Sequence, residues 1–280
     1  MLGLVLEGGA MRAIYTAGVL DVFMEEGLWP EGLIGVSAGA IHGSVYLGNQ
    51  PGRTIRYYKK YCRHKNFMSL YSLLTTGDIV GEQFCYHDLP DRLDPFDYDT
   101  FANSSTAYYV VCTDLESGRP VYRRCTDLHK EMDYLRASAS MPYVSRIVAI
   151  EGQKLLDGGV ADSIPLAAFE QMGYDKNIVV LTRPKGYRKK PQKKWLANLF
   201  YKKYPAFIQT LLNRHTDYNR SVAEVEQKAA RGELFLIRPS ADLQIGRMER
   251  DPARLEAQYE LGRRDALAAL PALRKWINKE

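Results

Sequence analysis

Residues 32–47 read GLIGVSAGAIHGSVYL, and the fold turns on how they are read. A short apolar run, Gly32–Val36, meets a run of small and apolar residues, Ala38–Leu47, through one serine between two glycines. Gly35–Gly39 (GVSAG) matches G-x-S-x-G, the pattern that raises a serine on a sharp strand-to-helix turn. The same unit stands once more upstream. Leu2–Leu6 is apolar, Glu7-Gly8-Gly9-Ala10 is a turn, and Ala13, Ile14, Ala17, Leu20 and Phe23/Met24 recur at helical spacing before Gly27. Two strand–turn–helix units in succession predict a parallel α/β sheet.

Composition sets the outer limits. With 280 residues, 46% hydrophobic and 25% charged, the chain has ordinary globular usage and not that of a disordered segment. No apolar run approaches the roughly 18 residues of a membrane span. The start, MLGLVLEGGA, lacks a basic leader region and reads as a first strand instead of a signal peptide. Cys62, Cys85, Cys112 and Cys125 include no C-x-x-C pair, so reduced thiols in a cytoplasmic protein are expected, with no zinc site or disulfide framework. The net charge of +5 is concentrated: Lys176–Thr216 holds eleven Lys or Arg and no acid. Such a block points to a partner, where a diffuse excess would not.

Farther along, residues 53–64 read as an exposed basic helix and 66–104 as loops with short helices. Residues 108–113 and 120–123 flank Glu116-Ser117-Gly118 as a hairpin. A helix over 127–137 follows. A second hairpin, 147–150 with 154–156, delivers Asp157-Gly158-Gly159. Pro165 opens a helix to Met172, and 178–182 and 234–237 are strands. Asp251-Pro252 starts a last helix with Leu255, Tyr259 and Leu267 facing inward. No repeat or low-complexity linker appears. Residues 1–183 form a core, and 184–280 add a basic-aromatic segment and closing strand and helices to the same domain.

A serine hydroxyl needs a base to become a nucleophile. An α/β-hydrolase triad runs Ser, acid, His along the chain. Only His215 lies well downstream of a candidate acid, and nothing around it fixes its position. His64 and His87 fall in the irregular region, His42 sits inside the helix that follows Ser37, and His129 opens a polar helix. The serine also comes after only two strands, too early for that fold. A carboxylate is the alternative base: Asp157 ends a hairpin ahead of two glycines, which permit a tight left-handed backbone. Asp-Gly is equally a common turn dipeptide. Gly8-Gly9-Ala10-Met11-Arg12 offers backbone N–H groups at a helix start, a ready anion site. Beside a nucleophilic serine it is an oxyanion hole, with Arg12 binding an anion or bracing the loop. A dinucleotide fingerprint fails here, because residue 10 is alanine and no glycine stands at 13.

Three motifs now stand in order: EGGAMR at 7–12, GVSAG at 35–39 and LLDGG at 155–159, with ASASMP at 137–142 and Pro165 around the last. Over roughly residues 1–183 the chain resembles the patatin-like phospholipase family. The resemblance implies a three-layer α/β/α sandwich with a mostly parallel central sheet. It implies a Ser–Asp dyad without histidine: Ser37 as nucleophile, Asp157 as general base, and Gly8, Gly9 and Ala10 as the oxyanion loop with Arg12. Gly35, Gly39, Gly158 and Gly159 shape the two turns. A lipid or ester substrate, an acyl-enzyme and no metal or cofactor follow from it. Ala10 and Ala13 depart from the family's glycines; Ala10 suits the loop at negative φ and is strained at positive φ. Other classes compatible with the sequence are an acyltransferase using the same serine, a non-catalytic lipid- or protein-binding module, and a nucleotide-binding α/β protein.

Residues 185–215 interleave lysines with Trp195, Leu196, Leu199, Phe200, Phe207, Leu211 and Leu212. Ring anchors beside cations suit peripheral contact with a membrane surface. A solvated basic loop followed by a core-packed helix reads equally well, and a nucleic-acid partner ranks below both. Oligomeric state has no signature in the sequence.

Overall fold

The computed structural model describes residues 1–279. Strand β1 (Leu2–Leu6) leads through a 3-10 turn at Ala10–Ala13 into helix α1 (Ile14–Glu25), and β2 (Gly32–Val36) runs directly into α2 (Ala38–Leu47). Next come α3 (Arg53–Tyr61), α4 (Leu70–Thr76), a π-helical segment at Phe84–Leu93, and α5 (Tyr98–Ala102). Then follow β3 (Ala107–Asp114), β4 (Pro120–Cys125), α6 (Leu128–Ala139), β5 (Val148–Ile150), β6 (Gln153–Asp157), α7 (Leu166–Gln171) and β7 (Lys176–Val180). The chain closes with α8 (Lys194–Tyr201), α9 (Pro205–Ala230), β8 (Leu234–Ile237) and α10 (Pro252–Ile277).

All the strands share one sheet in the order β5-β6-β3-β2-β1-β7-β8, with β4 also on β3. The run β3-β2-β1-β7-β8 is parallel, while β4 and β6 pair antiparallel with β3, and β5 with β6. Successive strand residues face opposite sides. Leu4 and Leu6 pack with Tyr15, Val19 and Phe23 of α1 and Leu261 and Leu273 of α10. Val5, with Ile34, Val36 and Val179, packs with Phe169 of α7 and Tyr218, Val222 and Val225 of α9. The result is a three-layer α/β/α sandwich whose inner strands, covered on both faces, are the near-continuous apolar runs of the sequence.

One detail of register builds the site. β2 ends at Val36 opposite Val111, and β6 arrives from the other direction to end at Asp157 opposite Cys112. β4 already occupies the far edge of β3 across the same residues. The two chain ends therefore meet head-on along one edge of β3, which brings residues 120 positions apart into contact.

Several expectations need correction. Leu267 is 47% exposed, although Leu255 and Tyr259 do face inward. The helix at 53–64 is not simply exposed: Arg53, Thr54, Tyr57 and Tyr58 of α3 are buried. Gly158 and Gly159 are not left-handed. Gly158 is glycine because a Cβ there would stand 2.1 Å from the Val111 carbonyl oxygen. The basic stretch divides, since Phe207 and Leu211 are core residues of α9 whereas Trp195, Leu199 and Phe200 of α8 are exposed.

His42 of α2 is 1% exposed, and neither ring nitrogen has a partner. Burial lowers its pKa to about 3. The unfolded chain thus binds a proton near pH 6.5 that the folded chain refuses until about pH 3. His42 contributes its full share above pH 6.5, and stability falls below it by about 1.4 kcal/mol per pH unit. Urea titrations at pH 7 and pH 5 are expected to show that loss in the wild type and a flatter response in His42→Leu. Equal slopes would mean the ring is hydrated.

Candidate active site

β2 leads directly into Ser37, which is the N-cap of α2 with φ 55° and ψ −128°. A non-glycine residue at positive φ is held there by its surroundings. The carbonyl of Ser37 accepts from the N–H groups of Ala40 and Ile41, which starts the helix. A Cβ on Gly35 would lie 2.6 Å from Ala40 Cα, and one on Gly39 2.7 Å from the Leu6 carbonyl oxygen, so the elbow closes only around glycines. The Ser37 N–H donates to Ser138 Oγ at 2.8 Å, and Ser138 Oγ donates to the Val111 carbonyl at 2.6 Å. Ser138 thereby fills the gap in the ladder where β2 and β6 both end.

Asp157 is fixed from several directions. Its N–H donates to the Ser140 carbonyl at 2.9 Å, and its carbonyl accepts from Thr113 Oγ1 at 2.9 Å. Oδ1 accepts from the Gly159 N–H at 2.8 Å, which aims Oδ2 at the serine. Ser37 Oγ donates to Asp157 Oδ2 at 2.9 Å, with both residues buried. None of the five histidines bonds to either side chain. His215 Nδ1 instead contacts the Leu212 carbonyl at 2.9 Å within α9.

The glycine loop lies against this pair. A Cβ on Gly8 would come within 2.9 Å of Ser37 Cβ, and one on Gly9 within 2.9 Å of Thr182 Oγ1. Glu7, at the end of β1, accepts from the Thr182 N–H at 2.6 Å and the Tyr218 hydroxyl at 2.8 Å and ties the loop to β7 and α9. Ala10 has φ 49°, the strained alternative raised by its sequence. An alanine in that region costs about 1–2 kcal/mol relative to the right-handed one. Ala10→Gly is expected to raise unfolding stability by about 0.5–1 kcal/mol after the extra freedom of glycine in the unfolded chain is offset. A denaturant midpoint at or below the wild type's would show the turn unstrained.

Two cavities meet at Ser37, which lines both along with Ala10 and Met141. One is apolar, about 110 Å³, and runs between α2, α3 and α6 past Ile41, Val45, Tyr58, Phe67 and Leu135. The other is polar, about 400 Å³, and its walls include Arg12, Arg183, Lys189, Arg214 and Arg247, with Glu7 and Asp157 as the acids. Sequence reading assigned Arg12 to this place but took Lys189 and Arg214 for parts of a surface stretch. It did not single out Ser138, although ASASMP contains it. A basic residue's facing depends on helix phase within α9, where Arg214 lies one turn from the core residues Leu211 and Tyr218.

Comparison with known proteins places these elements. A family model described as "Patatin-like phospholipase" matches residues 4–170, and one described as "Domain of unknown function (DUF6363)" matches residues 204–278. The uncharacterized protein YjjU of Escherichia coli is 28% identical over 272 residues, covering 94% of this chain and 75% of its own length. Lysophospholipase nte1 of Aspergillus oryzae is 26% identical over 183 residues, 62% of this chain and 11% of that protein. An uncharacterized NTE family protein of Mycobacterium bovis is 25% identical over 177 residues, 63% of this chain and 48% of that protein.

Proposed function

This chain belongs to the patatin-like phospholipase family, and we propose that it is a lipid acyl hydrolase in which Ser37 is the nucleophile and Asp157 the only general base. The observation that carries the reading is the 2.9 Å contact from Ser37 Oγ to Asp157 Oδ2 at the junction of two cavities. Oδ2 takes the hydroxyl proton as Oγ bonds to the ester carbonyl carbon. The loop at Gly8–Ala10 carries the oxyanion that develops on the carbonyl oxygen. Collapse of the tetrahedral species breaks the ester C–O bond, and the proton passes from Asp157 to the departing alcohol. Water, giving its proton to the same carboxylate, then releases the acid and restores Ser37. The acyl chain occupies the apolar cavity. A fluorophosphonate probe tests the reading: mass spectrometry is expected to find the adduct on Ser37. A folded protein that stays unlabelled at Ser37 overturns it.

The lipid reaches the site from a surface. Trp195, Leu199 and Phe200 of α8 are 62%, 69% and 53% exposed, and Leu70 and Leu74 of α4 are exposed too. Residues 143–144 link α8 to the segment that follows α4: the Tyr143 N–H donates to the Tyr201 hydroxyl at 2.8 Å, and the Ile79 N–H to the Val144 carbonyl at 2.8 Å. Tyr143 also lines the polar cavity. Lys193, Lys194, Lys202 and Lys203 surround α8. Rings, aliphatic side chains and lysines together suit an anionic lipid surface. Among the described residues no helix is long and apolar enough to cross a membrane. The double variant Trp195→Ser, Phe200→Ser is expected to lose about tenfold in binding to vesicles containing anionic lipid. Its turnover of a soluble short-chain ester should match the wild type. Unchanged vesicle binding removes α8 from the contact.

A further inference from the structure

The polar cavity has an electrostatic character that a generic ester site does not require. Arg12, Arg183, Lys189, Arg214 and Arg247 line it, and none of the five forms an ion pair or donates a side-chain hydrogen bond to any described residue. Arg12 Nε and Arg214 Nε are wholly buried without a partner. The acids present are occupied. Glu7 serves Thr182 and Tyr218, and Asp157 serves Ser37 and Gly159. The buried guanidinium of Arg53, whose Nε is likewise without a hydrogen bond, differs in having an acid beside it: Asp94 Oδ1 stands 3.3 Å away and the Asp94 carbonyl accepts from Nη2. Arg247 is exposed and the other four are partly buried, with Arg183 over the Tyr187 ring and Lys189 over the Tyr218 ring. Desolvated guanidinium groups such as Arg12 and Arg214 without an acid partner are costly unless a ligand neutralises them. Burial and the neighbouring Arg214 push the Lys189 ammonium down to about 6, and burial with Arg183 and Arg247 pushes Arg12 down to about 10. Asn219 clamps Lys189 in place through two bonds to its backbone, at 2.8 and 3.1 Å. Gly159 leaves the space that Arg214 enters: Nη2 lies 3.1 Å from where a Cβ would sit, next to Asp157.

We propose that the alcohol side of the scissile ester carries a phosphomonoester dianion, which Arg12, Arg183, Lys189, Arg214 and Arg247 hold in the polar cavity while the acyl chain enters the apolar one. The proposal rests on the assignment of Ser37 as the reacting group. The basic side chains lining the cavity, which include Arg188 and Lys190 as well, outnumber its two carboxylates even with Lys189 neutral. They leave a positive excess that a single phosphodiester charge only partly neutralises, and a zwitterionic choline headgroup would bring a cation into it. A terminal phosphate presents two charges and three acceptor oxygens, which suit guanidinium forks. Substrates of this class are monoacyl or diacyl glycerol phosphates and other acylated phosphate monoesters.

The test uses 1-oleoyl lysophosphatidic acid, 1-oleoyl lysophosphatidylcholine and monooleoylglycerol below their critical micelle concentrations. Wild-type kcat/KM is expected to be at least tenfold higher for lysophosphatidic acid than for either of the others, and the ratio is expected to fall as salt rises. In Arg214→Gln and Arg183→Gln the ratio of lysophosphatidic acid to monooleoylglycerol should drop at least fivefold. Using a ratio within each variant removes any loss of folded protein. Binding is measured separately on Ser37→Ala by calorimetry. Preference for lysophosphatidic acid over lysophosphatidylcholine there supports the proposal even if the wild type cleaves no ester, in which case the hydrolase assignment falls instead. Equal affinity for the two lipids overturns the proposal. So does inorganic phosphate binding as tightly as lysophosphatidic acid, which would mark the cavity as a site for a free anion.

Discussion

Asp157→Asn is expected to lower kcat for ester hydrolysis on the order of 10⁴-fold, as much as Ser37→Ala, with no loss of folded protein. Asparagine keeps the side chain's shape. Its carbonyl oxygen can still accept from the Gly159 N–H, the bond that sets the rotamer at 2.8 Å. What it lacks is a site for the proton that Ser37 Oγ must surrender across the 2.9 Å contact. Because the two residues act as a unit, the double variant should be no worse than either single one. His215→Gln is the contrasting variant. It changes the only histidine far downstream of a candidate acid, and its ring is engaged with Leu212 in α9, so turnover should stay within about twofold of the wild type. A collapse in His215→Gln, or an Asp157→Asn protein that retains a tenth of the activity, removes the carboxylate from its role.

The residues that can be read from sequence and those that cannot differ in the range of the interactions that place them. GVSAG, EGGAMR and LLDGG are local devices. Each needs small residues where backbone passes backbone, and that need is written in neighbouring letters, as the Cβ collisions at Gly8, Gly35, Gly39 and Gly158 show. The β1–α1 and β2–α2 units were legible because an apolar strand covered on both faces has no alternation to obscure it. The head-on meeting of β2 and β6 along β3 was not legible, since it depends on which edge of β3 the hairpin chooses. Ser138 was therefore missed as the bridge between the two strand ends. The basic stretch misled for a related reason. Charge and aromatic content are the same whether a lysine faces solvent or a cavity, so Lys193 and Lys194 beside Trp195 could not be told from Lys189 and Arg214, which line the cavity that reaches Ser37. The expected φ of Ala10 also depended on a long-range fact, the seating of the loop against Ser37 and Thr182, which bends the chain past what alanine prefers.

Gly262→Ala is expected to destabilise the protein by about 3 kcal/mol or more, the largest loss available from one added methyl group. Helices α1 and α10 cross with their backbones touching. A Cβ on Gly262 would lie 2.0 Å from the Tyr15 carbonyl oxygen, and one on Gly18 2.1 Å from the Tyr259 carbonyl oxygen. Neither obstacle is the end of a flexible side chain, so the helices must separate. Separation loosens the bonds that straddle the crossing: Tyr259 hydroxyl to Asp21, Tyr15 hydroxyl to Asp265 at 3.0 Å, and Arg263 to Glu25 at 2.8 Å. It also reaches the site, because α1 follows directly from the 3-10 turn at Ala10–Ala13, and Gln258 of α10 is the residue that contacts the Arg12 carbonyl. Gly18→Ala should cost about as much, and the two together less than their sum, since the first substitution already opens the gap the second needs. Gly246→Ala serves as the control: the nearest atom to its Cβ is 4.0 Å away, and its stability should stay within about 0.5 kcal/mol of the wild type. Urea titrations of the wild type and the four variants decide the matter. A Gly262→Ala protein as stable as the wild type would mean that α10 does not press on α1 and that the segment matched to a separate family model folds apart from the hydrolase core.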